Sequence, residues 1–190
     1  METPDTDELA EAAKDTFKTR CALLVSALAL ILAVNNLGGA NTGKEAMMTN
    51  ILASNTYSFY QAKNIRQTEY KLAVDRLEIQ LANDKPTAQA KELMEAKLAA
   101  YKKNVERYET EPETGEGKKE LMAKAKHLEQ ERDLALRKDP WFDYAEGLLQ
   151  LAIVLTSVAI ISNRRAMFYA ACVLGVVGSV CTLNGYFLFY

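Results

Sequence analysis

Ser54-Asn55-Thr56-Tyr57-Ser58-Phe59-Tyr60-Gln61-Ala62-Lys63-Asn64-Ile65-Arg66-Gln67-Thr68-Glu69-Tyr70 contains neither Pro nor Gly and sorts its side chains onto unlike faces. In heptad steps, Asn50, Ser54, Tyr57, Gln61, Asn64 and Thr68 fall on a stripe that is polar yet uncharged, and Met48, Leu52, Phe59 and Ala62 fall on an apolar stripe opposite. Such a pattern predicts a helix that packs against other helices. The uncharged stripe admits three roles: a face toward water, a hydrogen-bonded seam between protomers that avoids burying charge, or the lining of a hydrated lumen. These six residues form the candidate assembly or lumen face.

Reading outward, Thr42 and Glu45 have the spacing of a capping box, and no Pro or Gly occurs from Lys44 to Ala82. A helix of about 40 residues, roughly 60 Å long, is expected here. Its distal half carries Tyr70, Val74, Leu77 and Leu81 on one stripe and Ile65, Leu72 and Ile79 on another, which calls for neighbours on two sides. Asn83-Asp84-Lys85-Pro86-Thr87 reads as a turn, because Pro86 bars its predecessor from helical geometry. A helix over Ala88 to Glu109 follows, with Met94, Leu98, Tyr101, Val105 and Tyr108 at the four-three spacing of a helix-packing seam. Thr110 to Gly117 interrupts it. Lys118 to Lys138 then resumes as helix, with Leu121, Ala125, Leu128 and Ala135 facing inward. The shorter helices are expected to run back along the long one as an antiparallel, coiled-coil-like hairpin.

Apolar segments flank this hairpin. Residues 1–20 begin acidic and end basic, with Leu9, Ala13 and Phe17 every four residues, and predict an amphipathic helix starting near Thr3-Pro4-Asp5. Cys21 to Val34 is an unbroken apolar run. Basic residues before it and Gly38-Gly39-Ala40 after it also fit a secretory signal, but the segment is expected to be retained as transmembrane helix one, residues 21–40. The Asn35 to Gly43 stretch is expected to break the helix, since glycine and asparagine favour helix ends.

After the hairpin, residues 41–139, Asp139-Pro140-Trp141-Phe142-Asp143-Tyr144 marks the return to the bilayer. Asp139 is a candidate cap and Pro140 a candidate first helical residue. Trp141, Phe142 and Tyr144 are candidate interfacial anchors. Transmembrane helix two is expected over 140–162 and helix three over 166–190, separated by Ser162-Asn163-Arg164-Arg165. In the last helix, Ala171, Gly175 and Ser179 form one small-residue stripe and Gly178, Thr182 and Gly185 another, which allow close helix packing within or between protomers. Glu146 and Gln150, one turn apart, are read as headgroup-region groups offsetting a helix N-terminus, or as markers of an ion path.

Charge and composition narrow the function. The net charge is −2, and the segment Lys44 to Asp139 holds 18 basic and 17 acidic residues, so no basic field exists to hold nucleic acid. Cys21, Cys172 and Cys181 all lie in apolar runs, which argues against structural disulfides. The sole histidine, His127, sits in a charged helix and reads as solvent-facing. With no metal-ligand spacing, Gly-rich phosphate loop or nucleophile elbow in the sequence, no enzyme activity, cofactor or metal is expected. Lys14, Lys18 and Arg20 lie on the same side as Arg164 and Arg165 in a three-pass arrangement. The positive-inside bias then places the N-terminus in the cytoplasm and the hairpin and C-terminus outside.

Asn55 to Gln67, Asp139 to Glu146 and the Leu183-Asn184-Gly185 ending together resemble a bacterial membrane-protein family known only as a domain of unknown function, DUF4337. Tyr57 stands where the family pattern leads one to expect Trp, which keeps an amphipathic aromatic. The resemblance implies a bacterial source and three membrane helices, and it supplies no activity or ligand. The expectation is therefore an all-α membrane protein with three transmembrane helices and an extramembrane antiparallel hairpin. It would sit in the bacterial inner membrane, with the lipid bilayer, further copies of itself or another membrane protein as partners, and act as a scaffold or assembly protein. The alternative is an oligomeric channel-like or transport-accessory protein.

Overall fold

The computed structural model describes residues 6–84 and 86–189, with side chains from residue 15 onward. Among these residues four helices follow one another: α1 (Thr6–Asn83), α2 (Ala88–Glu109), α3 (Lys118–Ser162) and α4 (Arg165–Phe187). No strand occurs among the described residues. The expected helix start at Thr3-Pro4-Asp5 and the side chains of Leu9 and Ala13 lie outside what is described. The chain divides into two compact units, residues 1–46 with 133–190, and residues 47–132. These limits fall several residues from the sequence-based hairpin limits of 41–139.

The first unit is built from the early part of α1, the later part of α3, and α4. Among the described residues, three helices are long and apolar enough to cross a membrane: α1, α3 and α4. Leu28, Leu149, Ala152 and Ala171 form the central cluster, packed by Leu24, Ile31, Leu32, Ile153, Leu155 and Leu174. Ala145, Ala159 and the glycines of α4 are also buried, while Leu23, Leu30, Leu151, Val154, Val173, Val176 and Val180 face outward. Small residues inside and large apolar residues outside is the pattern of helices whose close approach rests on van der Waals packing rather than exclusion from water.

Two expected breaks are absent. Helix α1 runs without interruption through Asn35 to Gly43, and Thr42, expected as a cap, is buried in mid-helix. None of these residues has a positive φ. Glycine serves close approach here: a Cβ on Gly38 would lie 2.5 Å from Cε1 of Phe142 and 2.7 Å from the Tyr186 hydroxyl. Likewise Pro140 lies inside α3 rather than at its start. Its ring removes one backbone N–H, a loss that a long helix held by its neighbours absorbs. Helix α4 ends at Phe187, short of the expected residue 190, with Leu188 in the left-handed region (φ 47°) and its N–H donating to the Asn184 carbonyl.

The second unit is an antiparallel hairpin. Thr87 caps α2, its hydroxyl accepting from the Ala90 N–H at 3.4 Å. Contacts set the direction: Lys102 pairs with Glu78 at 2.8 Å, Gln67 bonds the Val105 carbonyl, and Tyr57 reaches Glu129 on α3. Partner numbers rise as those on α1 fall. In this unit α1 buries Thr49, Ala53, Thr56, Lys63 and Gln67, facing Tyr108, Leu121 and Ala125. This seam is narrow, built of threonine and alanine where it meets α3, and polar where α2 gives way to α3.

Candidate functional site

The polar junction of the hairpin is assembled around Lys63 and Gln67, each buried on α1. The Gln67 amide nitrogen donates to the Val105 carbonyl and to Glu109 Oε2, both at 2.9 Å, and its Oε1 accepts from Lys118 Nζ at 2.9 Å. Lys118 also pairs with Glu109 at 3.5 Å and lies over the Tyr60 ring. Lys63 reaches Glu116 at 3.3 Å and Glu111 at 3.8 Å, with its ammonium over the rings of Phe59 and Tyr108. Paired carboxylates and ring faces offset the desolvation of the two cations.

The connection of residues 110–117 owes its shape to this junction. Glu120, in the first turn of α3, accepts from the Thr110 hydroxyl at 2.7 Å and from the Glu111 N–H at 3.2 Å. These bonds hold the Glu120 carboxyl below the usual carboxylate range, the Thr110 bond foremost. Glu109 is held low as well, first by its bond from Gln67 and then by the charge of Lys118. Every charge in the junction has a partner within the hairpin. These bonds tie α1, α2 and α3 together in one register.

Six residues were expected on one assembly face. Asn50 accepts from Arg132 at 3.4 Å, and Tyr57 donates to Glu129 at 3.1 Å, so two of the six are turned toward α3. Desolvation, and then the Glu129 carboxylate, raise the Tyr57 hydroxyl above its ordinary value. Ser54, Gln61, Asn64 and Thr68 are exposed. The apolar stripe lies open too: Met48, Ile51, Leu52, Phe59, Ile65, Leu72 and Ile79 are each 40–61 % exposed. Of the two stripes expected on the distal half, Tyr70, Val74, Leu77 and Leu81 are half-buried against α2, with Tyr70 stacked on Tyr108 at 5.8 Å. The second stripe, Ile65, Leu72 and Ile79, stands 61 %, 52 % and 59 % exposed.

A second polar knot lies in the three-helix unit. Asn35, 1 % exposed, donates from Nδ2 to the Phe142 carbonyl at 3.0 Å, and its Oδ1 accepts from the Thr182 hydroxyl at 3.0 Å. Phe142, expected as an interfacial anchor, is 2 % exposed, sits against Gly38, Gly39 and Gly185, and meets Tyr186 edge-on at 5.1 Å. Three glycines leave a slot that a phenyl ring fills. Trp141 is half-buried and Tyr144 exposed, their rings edge to face at 6.3 Å.

The small residues of α4 divide between neighbours within the protomer. Gly175 faces Leu28 of α1, Gly178 faces Leu149 of α3, Gly185 faces Phe142, Ala171 joins the central cluster, and Thr182 meets Asn35. Ser179 bonds the Gly175 carbonyl in its own helix. The Gln150 amide donates to Glu146 on the exposed side of α3.

Lys63 and Gln67 were not singled out from the sequence, and Asn35 and Gly38 only as part of an expected helix break. Thr42, Thr49, Thr56 and Lys63 recur every seven residues, interleaved with Ala46, Ala53, Tyr60 and Gln67, so the signal was a heptad seam of small and polar residues. A search for apolar seams passes over it. His127 is exposed and 3.6 Å from Glu131, and among the described residues no group of three or more His, Cys, Asp or Glu is placed to hold a metal ion.

Comparison with curated proteins and with solved structures returns no match. A family described as a domain of unknown function, DUF4337, matches residues 17–188, which takes in both polar knots, the hairpin and all three apolar segments, and the chain belongs to that family.

Proposed function

We propose that the protein is a non-enzymatic integral membrane protein of the bacterial inner membrane that assembles with copies of itself through its hairpin. The N-terminus lies in the cytoplasm and the hairpin outside. The observation that carries this reading is the open stripe of α1, with Ile51, Ile65, Leu72 and Ile79 in one register of sevens. Met48, Ile51, Leu52, Phe59, Ile65, Leu72 and Ile79 are each 40–61 % exposed along this helix. A soluble helix does not leave such a stripe in water without a partner. Asn55, between Met48 and Ala62 on the same face, suits a pairing in which one polar residue fixes register.

The assembly is therefore placed on the apolar stripe rather than on the uncharged one. Mass measurement of the full chain in lipid nanodiscs is expected to give a multiple of the 21.1 kDa protomer, and a monomeric particle would refute the reading. In a background free of the native cysteines, Ile65→Cys and Leu72→Cys are expected to form disulfide-linked dimers under mild oxidation, and Asn64→Cys is not. Reporter fusions at either end test the orientation. The channel reading is supported only by exposed Ser54, Gln61 and Asn64, and conductance in planar bilayers tests it.

A further inference from the structure

In the three-helix unit, at the end opposite Phe142, Arg20 of α1 and Arg165 of α4 line one cleft of about 250 Å³ together with Thr16, Phe17, Phe168 and Tyr169. The Phe17 and Phe168 rings meet edge to face at 5.8 Å, and Phe168 and Tyr169 do the same at 5.8 Å, giving the cleft an aromatic side. Among the described residues no ion pair engages either arginine, whereas nearby Asp15 is already paired with Lys18 at 3.4 Å. Arg164, at the N-cap of α4, makes no side-chain cap bond, which leaves the positive end of that helix beside the two guanidinium groups.

Position decides what such a cleft can hold. The apolar run of α1 begins at Cys21, one residue after Arg20, and that of α4 at Ala166, one residue after Arg165. Both arginines therefore stand where hydrocarbon would give way to head groups. Beyond them, Leu23 on α1 and Val173 and Val176 on α4 present open apolar surface, at 67 %, 63 % and 65 % exposure. Two planar guanidinium forks match the geometry of a phosphate. Among the described residues, the lining contains no carboxylate to receive the ammonium of a zwitterionic head group.

We propose that this cleft binds the phosphate of an anionic phospholipid, held between Arg20 and Arg165, with the acyl chains along the open faces of α1 and α4. Basic pockets between membrane helices suit such head groups on physical grounds, because opposite charge and apolar surface act on one molecule. A free phosphate would satisfy the arginines and leave the apolar faces unused.

The test uses the full chain in nanodiscs of mixed phosphatidylglycerol and phosphatidylcholine, with native mass spectrometry of the lipids retained after release. Phosphatidylglycerol is expected to be kept in preference, and R20Q/R165Q to lower its retention by at least ~10-fold, the loss of charge-assisted bonds at two sites. R20K/R165K, which keeps the charge, is expected to retain much of it, and R107Q, in the hairpin, all of it. Both arginine side chains are exposed, so helicity by circular dichroism should not change. Equal retention of the two lipids, or retention unaffected by R20Q/R165Q, overturns the proposal. Displacement of phosphatidylglycerol by inorganic phosphate alone overturns the lipid as the source and leaves a free-anion site.

Discussion

Gly38 and Gly147 differ in what faces the missing Cβ. A methyl at Gly38 would strike the Phe142 ring and the Tyr186 hydroxyl, whereas one at Gly147 would meet nothing within 4 Å. Gly38→Ala is therefore expected to destabilise the three-helix unit by about 1–3 kcal/mol through overpacking. Gly147→Ala should be neutral or stabilising by up to ~1 kcal/mol, since alanine is the better helix former. Thermal denaturation of both variants in one detergent reads the difference, and equal shifts would show that the ring does not occupy the slot. Lys63 offers a second contrast. Glu111→Gln with Glu116→Gln leaves a buried cation without its carboxylates and is expected to cost about 1–3 kcal/mol, less than a fully buried pair because Glu116 is half-exposed. Lys63→Met removes the charge and keeps the packing on Phe59 and Tyr108, and should cost less than the double glutamine variant.

At the scale of elements, the joint between α2 and α3 should be the acid-sensitive part of the hairpin. Glu109 and Glu120 both have carboxyls lowered in the folded chain. A lowered carboxyl adds stability that is complete above its unfolded value and is lost as pH falls through its folded one. The hairpin is thus expected to hold through the ordinary glutamate range near pH ~4.3 and loosen only below it. Circular dichroism of the full chain against pH measures this. Gln67→Leu removes the largest cause of the low Glu109 carboxyl, so its acid transition should lie at higher pH than that of the parent chain. The same joint was readable in part. Pro86, Thr87 and the run from Thr110 to Gly117 marked the ends of α2 as they stand in the structure, because turn chemistry is local. The partners of Lys63 and Gln67 lie about 40–50 residues away in sequence, and nothing local announces them.

Across the whole chain, an all-helical fold with three long apolar helices was legible because hydropathy and charge are segregated along the sequence. The misreadings at Asn35 to Gly43 and at Pro140 share one cause. Glycine, asparagine and proline end helices that stand in water, where freed backbone groups and lost side-chain packing have no compensation. Inside a packed bundle the same glycines become notches for a ring, and an asparagine becomes a bonded core residue. The uncharged stripe was read as the face of interest because its polarity was unusual. Its neighbour across the helix, an open row of isoleucine and leucine, is the stronger signal once α2 and α3 are in place.

Asn35 also bears on the order in which the molecule is made. Its two partners outside α1, Phe142 and Thr182, come 107 and 147 residues later in the chain. During synthesis the amide nitrogen gains the Phe142 carbonyl when the second apolar segment emerges, and the amide oxygen waits for Thr182 until the last. A chain halted before Thr182 keeps that side chain half-satisfied. Truncation after Asn163 is expected to shorten cellular half-life, and pairing that truncation with Asn35→Leu to restore part of it in a pulse-chase measurement.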